Sequence, residues 1–191
     1  MVKELLSLFA IALTFIAFVP YIISIGQGKT KPHVFSWLIW GGATFIVFLA
    51  QLSDGAGAGA WPIGVSAMIT LYIAFLAYTV RADVAITKTD GFFLALAIAA
   101  LPCWYITENP LWAVVILTTV DVAGFAPTYR KAYKHPFEES LVFYGIMVVR
   151  NIMVIGALEN YSLTTSLFPA VSAIACLVFI VMVRFRRFKT G

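Results

Sequence analysis

The chain has 191 residues, 62% of them hydrophobic and only 12% charged, with a net charge of +4. A soluble domain carries about twice that share of charged residues, so the balance excludes a water-soluble globular enzyme. It also sets aside a nucleic-acid-binding module, because the basic residues are divided among four short segments rather than gathered on one surface.

The apolar residues fall in runs close to the roughly 20 that a helix needs to cross a hydrocarbon layer. The ten-residue alternation of a β-barrel strand is absent. The first run, Leu5 to Ile25, follows Lys3 and has the outline of a signal-peptide core, but no small-residue cleavage pattern follows, so it reads as a retained span. Lys29 and Lys31 fill the next connection, and Val34 to Leu52 forms the second run. After it comes "SDGAGAGAW", whose alternating glycines superficially resemble a nucleotide loop. With no strand before it and no Lys-Ser/Thr after it, the expectation is a flexible connection.

Trp61 to Val80 is the third run, followed by Arg81 and Lys88, and Gly91 to Ile106 is the fourth and shortest. The fifth, Leu111 to Tyr129, leads into Arg130, Lys131 and Lys134. Leu141 to Leu158 is the sixth, and the connection after it carries Asn160-Tyr161-Ser162, which fits a glycosylation sequon. The seventh, Leu163 to Val183, ends in a tail with Arg184, Arg186, Arg187 and Lys189, basic enough to meet anionic head groups or simply to anchor the span.

Eleven of the thirteen Lys and Arg residues therefore lie in alternate connections and the tail, whereas the intervening connections hold only the acids Asp54, Glu108 and Glu159. By the positive-inside rule the acidic connections and the N-terminus face out, and the C-terminus is cytoplasmic. An odd number of spans is required, which supports seven. The expected location is a cell membrane, either a plasma membrane or a bacterial inner membrane, with the lipid bilayer as the principal partner.

An internal repeat is visible in the connections. Pro32, Ser36, Trp40 and Gly41 match Pro136, Ser140, Tyr144 and Gly145 at one constant offset. The third and seventh runs also correspond, with Pro62 facing Pro169. Spans one to three thus repeat as spans five to seven, and the fourth, as a linker helix, gives both triplets the same sense across the membrane. The expected fold is all-α: one polytopic membrane domain over residues 1–191, with seven transmembrane helices arranged as two parallel three-helix repeats. Repeat one covers about 5–80, the linker about 91–106, repeat two about 111–183 and the basic tail 184–191.

This architecture resembles the superfamily that contains SWEET sugar transporters, PQ-loop transporters and PnuC vitamin transporters. The residues that carry the resemblance are "VPYIISIGQGKTKPHVFS" and "APTYRKAYKHPFEES". Pro20-Tyr21 and Pro127-Thr128 stand where the PQ-loop pattern has Pro-Gln, so the resemblance is one of architecture and not of substrate. It implies alternating access, with the two triplets rocking about a midplane site and Pro20 and Pro127 as hinges. From the residues alone, each proline either kinks its helix or merely ends it.

Asp121 and Arg150 are the strongly ionised residues inside the runs, each about 14 Å from one end of its span. An unpaired charge at that depth costs roughly 2.5 to 3.5 kcal/mol on insertion scales, so both are expected to face the interior and to interact directly or through water. The pair is either a fixed ion pair or a substrate or proton site. Thr118, Asp121, Gly124 and Thr128 share one broad helix face, and Asn151 beside Arg150 offers donor and acceptor groups. Repeat one has Thr14 opposite Asp121, and Ile46 and Val47 opposite Arg150 and Asn151, so the polarity is one-sided. Thr44, Ser66 and Ser172 are further lining candidates or packing devices.

Trp40 and Tyr144 occupy matching repeat positions and are candidates for a stacking gate, although an interfacial belt accounts for most aromatic residues. His33 and His135 read as solvated surface groups, Cys103 and Cys176 as small buried hydrophobes, and no cluster has metal-ligand spacing. The functional expectation is a small transporter that moves a modest polar or amphipathic metabolite, not an enzyme, without cofactor or metal and with a second copy of the chain as a candidate partner. The competing expectation is a seven-helix sensor or scaffold with a structural Asp121/Arg150 ion pair.

Overall fold

A computed structural model describes residues 1–30, 32–80, 88–137 and 141–190. Lys31, Arg81 and Ser140, used above for topology and the repeat, lie outside them, as does the side chain of Pro127. Among the described residues the chain forms seven α-helices and no strand: α1 (Val2–Gly26), α2 (Val34–Ser53), α3 (Trp61–Thr79), α4 (Lys88–Thr107), α5 (Pro110–Lys134), α6 (Leu141–Ala157) and α7 (Leu163–Thr190). A 3₁₀ turn, Gly57–Ala60, precedes α3. All but α6 are long and apolar enough to cross a membrane. At 17 residues α6 spans about 25 Å.

Helix starts follow local chemistry. Asn109 caps α5, its side-chain oxygen accepting from the Leu111 N–H at 3.0 Å, with Pro110 at the first helical position where no donor is needed. His33, expected as a solvated group, instead caps α2: its ring Nδ1 accepts from the Ser36 N–H at 3.3 Å, and its Nε2 lies 3.8 Å from Asp90 of α4. The helices run on past both hinge candidates. Pro20 is inside α1, and α5 continues through position 127 to Lys134, so neither proline ends its helix near the surface.

The packing order differs from the chain order. α1 packs on α3 and α6, α2 on α3 and α5, and α7 on α5 and α6, which makes a closed ring α1-α3-α2-α5-α7-α6. α4 lies outside it against α5 and, less extensively, α2. One end of this ring carries the Asp54 and Glu159 connections and is called the acidic end below; the other carries Lys29 and Lys134 and is called the basic end.

Candidate functional site

The ring interior is built in three layers. Toward the acidic end it is an aliphatic plug: Val47 of α2, Val114 and Leu117 of α5, Val154 of α6, Leu158 beyond it and Phe168 of α7 belong to one cluster with almost no exposure. Their near-complete burial makes that end of the interior apolar.

The connections over the plug interlock. The Glu159 carboxylate accepts from the Ala58 N–H at 3.1 Å, and the Glu159 N–H donates to the Ala56 carbonyl at 3.0 Å. Asn160 Nδ2 donates to the Asp54 carbonyl at 2.8 Å, Ser162 Oγ donates to the Asp54 carboxylate, and Gln51 Nε2 donates to the Thr165 carbonyl at 2.7 Å. Lys3 Nζ donates to the Leu158 carbonyl at 2.7 Å. "SDGAGAGAW" is thus no flexible connection but one half of a lock. Gly57 takes a left-handed φ of +58° with its α-carbon against the Glu159 carboxyl, a position where a side chain would meet both strain and a clash.

The second layer is polar and lies near mid-helix. Arg150, only 1% exposed, donates from Nε to the Thr14 hydroxyl at 3.2 Å, from Nη1 to Asn151 Oδ1 at 2.8 Å and from Nη2 to the Pro62 carbonyl at 2.5 Å. Each guanidinium nitrogen is used, and every acceptor is neutral. Asp121 makes no hydrogen bond or ion pair among the described residues and keeps partial exposure. Of the two expected forms of Asp121 to Arg150 interaction, the direct pair is not formed: α7 stands between α5 and α6, and its buried Cys176 lies within electrostatic reach of both charges. Thr118 Oγ1 and Asn151 Nδ2 are buried without a hydrogen-bond partner, which leaves two polar atoms unsatisfied beside this layer. Thr44 and Ser66 are also buried.

The third layer, toward the basic end, is aromatic. Tyr21 and Trp37 have ring centroids 5.1 Å apart, and Trp37 meets Trp40 at 5.7 Å and Phe18 at 6.4 Å. Phe18 meets Phe143 at 5.6 Å, Phe143 meets Tyr144 at 5.4 Å, and Tyr144 lies on Phe179 at 4.1 Å. Phe179 meets Tyr129 at 5.2 Å, and Tyr129 meets Phe125 at 6.4 Å. The chain of rings passes through α1, α2, α6, α7 and α5 and is closed by Trp40, whose indole lies against Gly124 of α5. Trp40 and Tyr144, the candidates for a stacking gate, occupy separate links of this collar. Trp37 belongs to the aromatic belt read from the sequence, whereas Phe18, Phe143 and Phe179 were not singled out because their apolar neighbours hide them.

Exposure changes along α5. Its buried residues Ala113, Val114, Leu117, Thr118 and Val120 precede Asp121, none of the described side chains from Asp121 to Lys131 is buried, and burial returns at Ala132. Asp121, Phe125 and Thr128 lie on the helix face opposite the exposed stripe Thr119, Val122 and Ala126. The carboxylate thus sits between the aliphatic plug and the aromatic collar, whose Phe18, Tyr144 and Phe179 are themselves buried.

No family model, curated protein or solved structure matches the chain.

Proposed function

We propose that the chain is a small membrane transporter that moves a modest polar or amphipathic metabolite by alternating access, with the acidic end outside and the C-terminus cytoplasmic. The observation that carries this reading is the Asp121 carboxylate, unpaired among the described residues and half-buried between an interlocked, plugged end and the aromatic collar. That arrangement fits one end state of a two-sided cycle, closed outward and accessible from the cytoplasm. The packing order supports the two-repeat plan. Exchanging α1, α2 and α3 with α5, α6 and α7 maps every neighbour pair of the ring onto another, as a two-fold axis along the membrane normal requires. On that plan α4 is the linker helix, Pro20 and Pro127 are equivalent hinges inside continuous helices, and the bilayer is that of a plasma or bacterial inner membrane.

A second reading, a seven-helix sensor or scaffold, draws on Arg150, which ties α6 to α1 and α3 through neutral acceptors and so acts as a brace. The two readings separate in one experiment. A Cβ built at Gly55 stands 3.8 Å from that of Asn160, a disulfide spacing, although the left-handed backbone of Gly55 costs a side chain about 1 kcal/mol. In proteoliposomes the Gly55→Cys/Asn160→Cys variant is expected to lose metabolite uptake when oxidised and regain it on reduction. Uptake unaffected by the crosslink, or absent in both states and in the parent for every metabolite class tried, would sink the transport reading.

A further inference from the structure

We propose that the interior site takes a compact organic cation of the ammonium class, with Asp121 as its counter-charge and the aromatic collar as its wall. This inference rests on the transport reading and names the substrate class of that same site.

The two ionised side chains of the interior are not equivalent. An anionic ligand would need Arg150, but that guanidinium is 1% exposed and each of its nitrogens already donates, to acceptors on α1, α3 and its own helix. Reaching it means breaking the brace. Asp121 has the opposite character, being partly exposed on the interior face of α5 and without a hydrogen bond or ion pair among the described residues. A carboxylate at that depth is costly unless something positive meets it.

The surroundings of Asp121 favour an organic cation over a bare metal ion. One helical turn toward the basic end, Gly124 has the Trp40 indole against its backbone, and one step further Phe125 begins the Tyr129 and Phe179 links. Ring faces attract an ammonium group through their quadrupole, most strongly for Trp, and more so when water is excluded. One turn the other way, the Thr118 hydroxyl is 5% exposed and unpartnered, available to a polar substituent of the ligand. A metal ion would require several oxygen ligands. Four of the chain's own cations lie over rings near the two ends of the bundle: Lys3 over Tyr161, Arg186 over Tyr133, Arg187 over Phe137 and Lys189 over Phe185.

Three probes of nearly equal shape test the assignment on the purified full-length protein: choline, its neutral isostere 3,3-dimethylbutan-1-ol and the anion 3,3-dimethylbutyrate. Choline is expected to bind at least about tenfold more tightly than the alcohol, with butyrate weakest. Asp121→Asn is expected to reduce choline to the level of the alcohol, and Asp121→Glu to keep the preference. Equal or tighter binding of the alcohol or the anion overturns the proposal, and so does failure of all three to bind; neither outcome depends on a variant that folds. Uptake in proteoliposomes separates the two claims. Choline bound but never moved leaves the cation site standing and counts against transport, whereas butyrate moved while choline is ignored leaves transport standing and overturns the cation.

Discussion

Arg150 and Thr14 meet across the α1/α6 contact, the guanidinium Nε donating to a hydroxyl that itself donates to the Ala10 carbonyl at 2.8 Å. With the Pro62 carbonyl and Asn151 as its other acceptors, Arg150 closes a buried bracket around three helices. Arg150→Ala is expected to cost about 3 kcal/mol or more, since it opens a cavity and strands three acceptors. Arg150→Met, which keeps the stem volume, should lose less. Thermal unfolding of detergent-purified protein reads the difference, and an Arg150→Ala protein as stable as the parent would remove the brace from the account.

The Gly124 backbone allows no side chain beside Trp40. A Cβ there would stand 2.5 Å from the indole Nε1 and 3.0 Å from two further ring atoms, closer than packed atoms approach. Gly124→Ala is expected to displace the indole, which an emission shift from Trp40 against a Trp40→Phe background would report. Trp40→Leu should rescue the alanine variant, with a coupling of about 1 kcal/mol in a double-mutant cycle. Independent, additive effects would show that the two positions do not touch.

The lock over the plug is polar, so it can be weakened without touching the core. Glu159→Ala removes the acceptor of the Ala58 N–H, and Asp54→Ala removes the carboxylate that accepts from Ser162. Each is expected to cost about 1 to 2 kcal/mol of closure, a rise of roughly ten-fold in the open fraction. A cysteine placed at Val114, fully buried in the parent, should then react faster with a membrane-impermeant thiol reagent added from the acidic side. Unchanged labelling would mean that the loops do not hold that end shut.

Asn160 is expected to escape glycosylation although its tripeptide fits the sequon. Its Nδ2, the atom that would carry the glycan, donates to the Asp54 carbonyl inside the lock. Expression with microsomes and a gel-shift assay checks this. Modification of the parent chain at full efficiency would show that the loop pair opens readily.

Much of the fold could be read from the residues because hydrophobic run length and charge placement act locally. Each run became a helix to within a few residues at most ends; the largest extensions are α5 to Lys134 and α7 to Thr190, where basic side chains continue helices past the apolar stretch. Neighbour relations were not readable in the same way. Asp121 and Arg150 sit in consecutive helices, and sequence proximity argued for a pair, but α7 intervenes. On the proposed two-repeat plan, the contact equivalent to Thr14 with Arg150 sets Asp121 toward Ile46, which has no charge to offer. The collar was hidden for another reason: aromatic residues are interspersed irregularly among aliphatic ones along the spans, and only the ring order selects which of them converge.

The position of α4 has a mechanical consequence. The triplets α1–α3 and α5–α7 meet along two lines, α1 on α6 and α2 on α5, and α4 lies across the second of these while no described helix lies across the first. A bundle strapped along one edge bends about that edge. On the proposed alternating-access cycle the strapped α2/α5 line would be the axis of rocking, and the α1/α6 line the edge that travels, with Arg150 and Lys3 as fastenings that would have to slip.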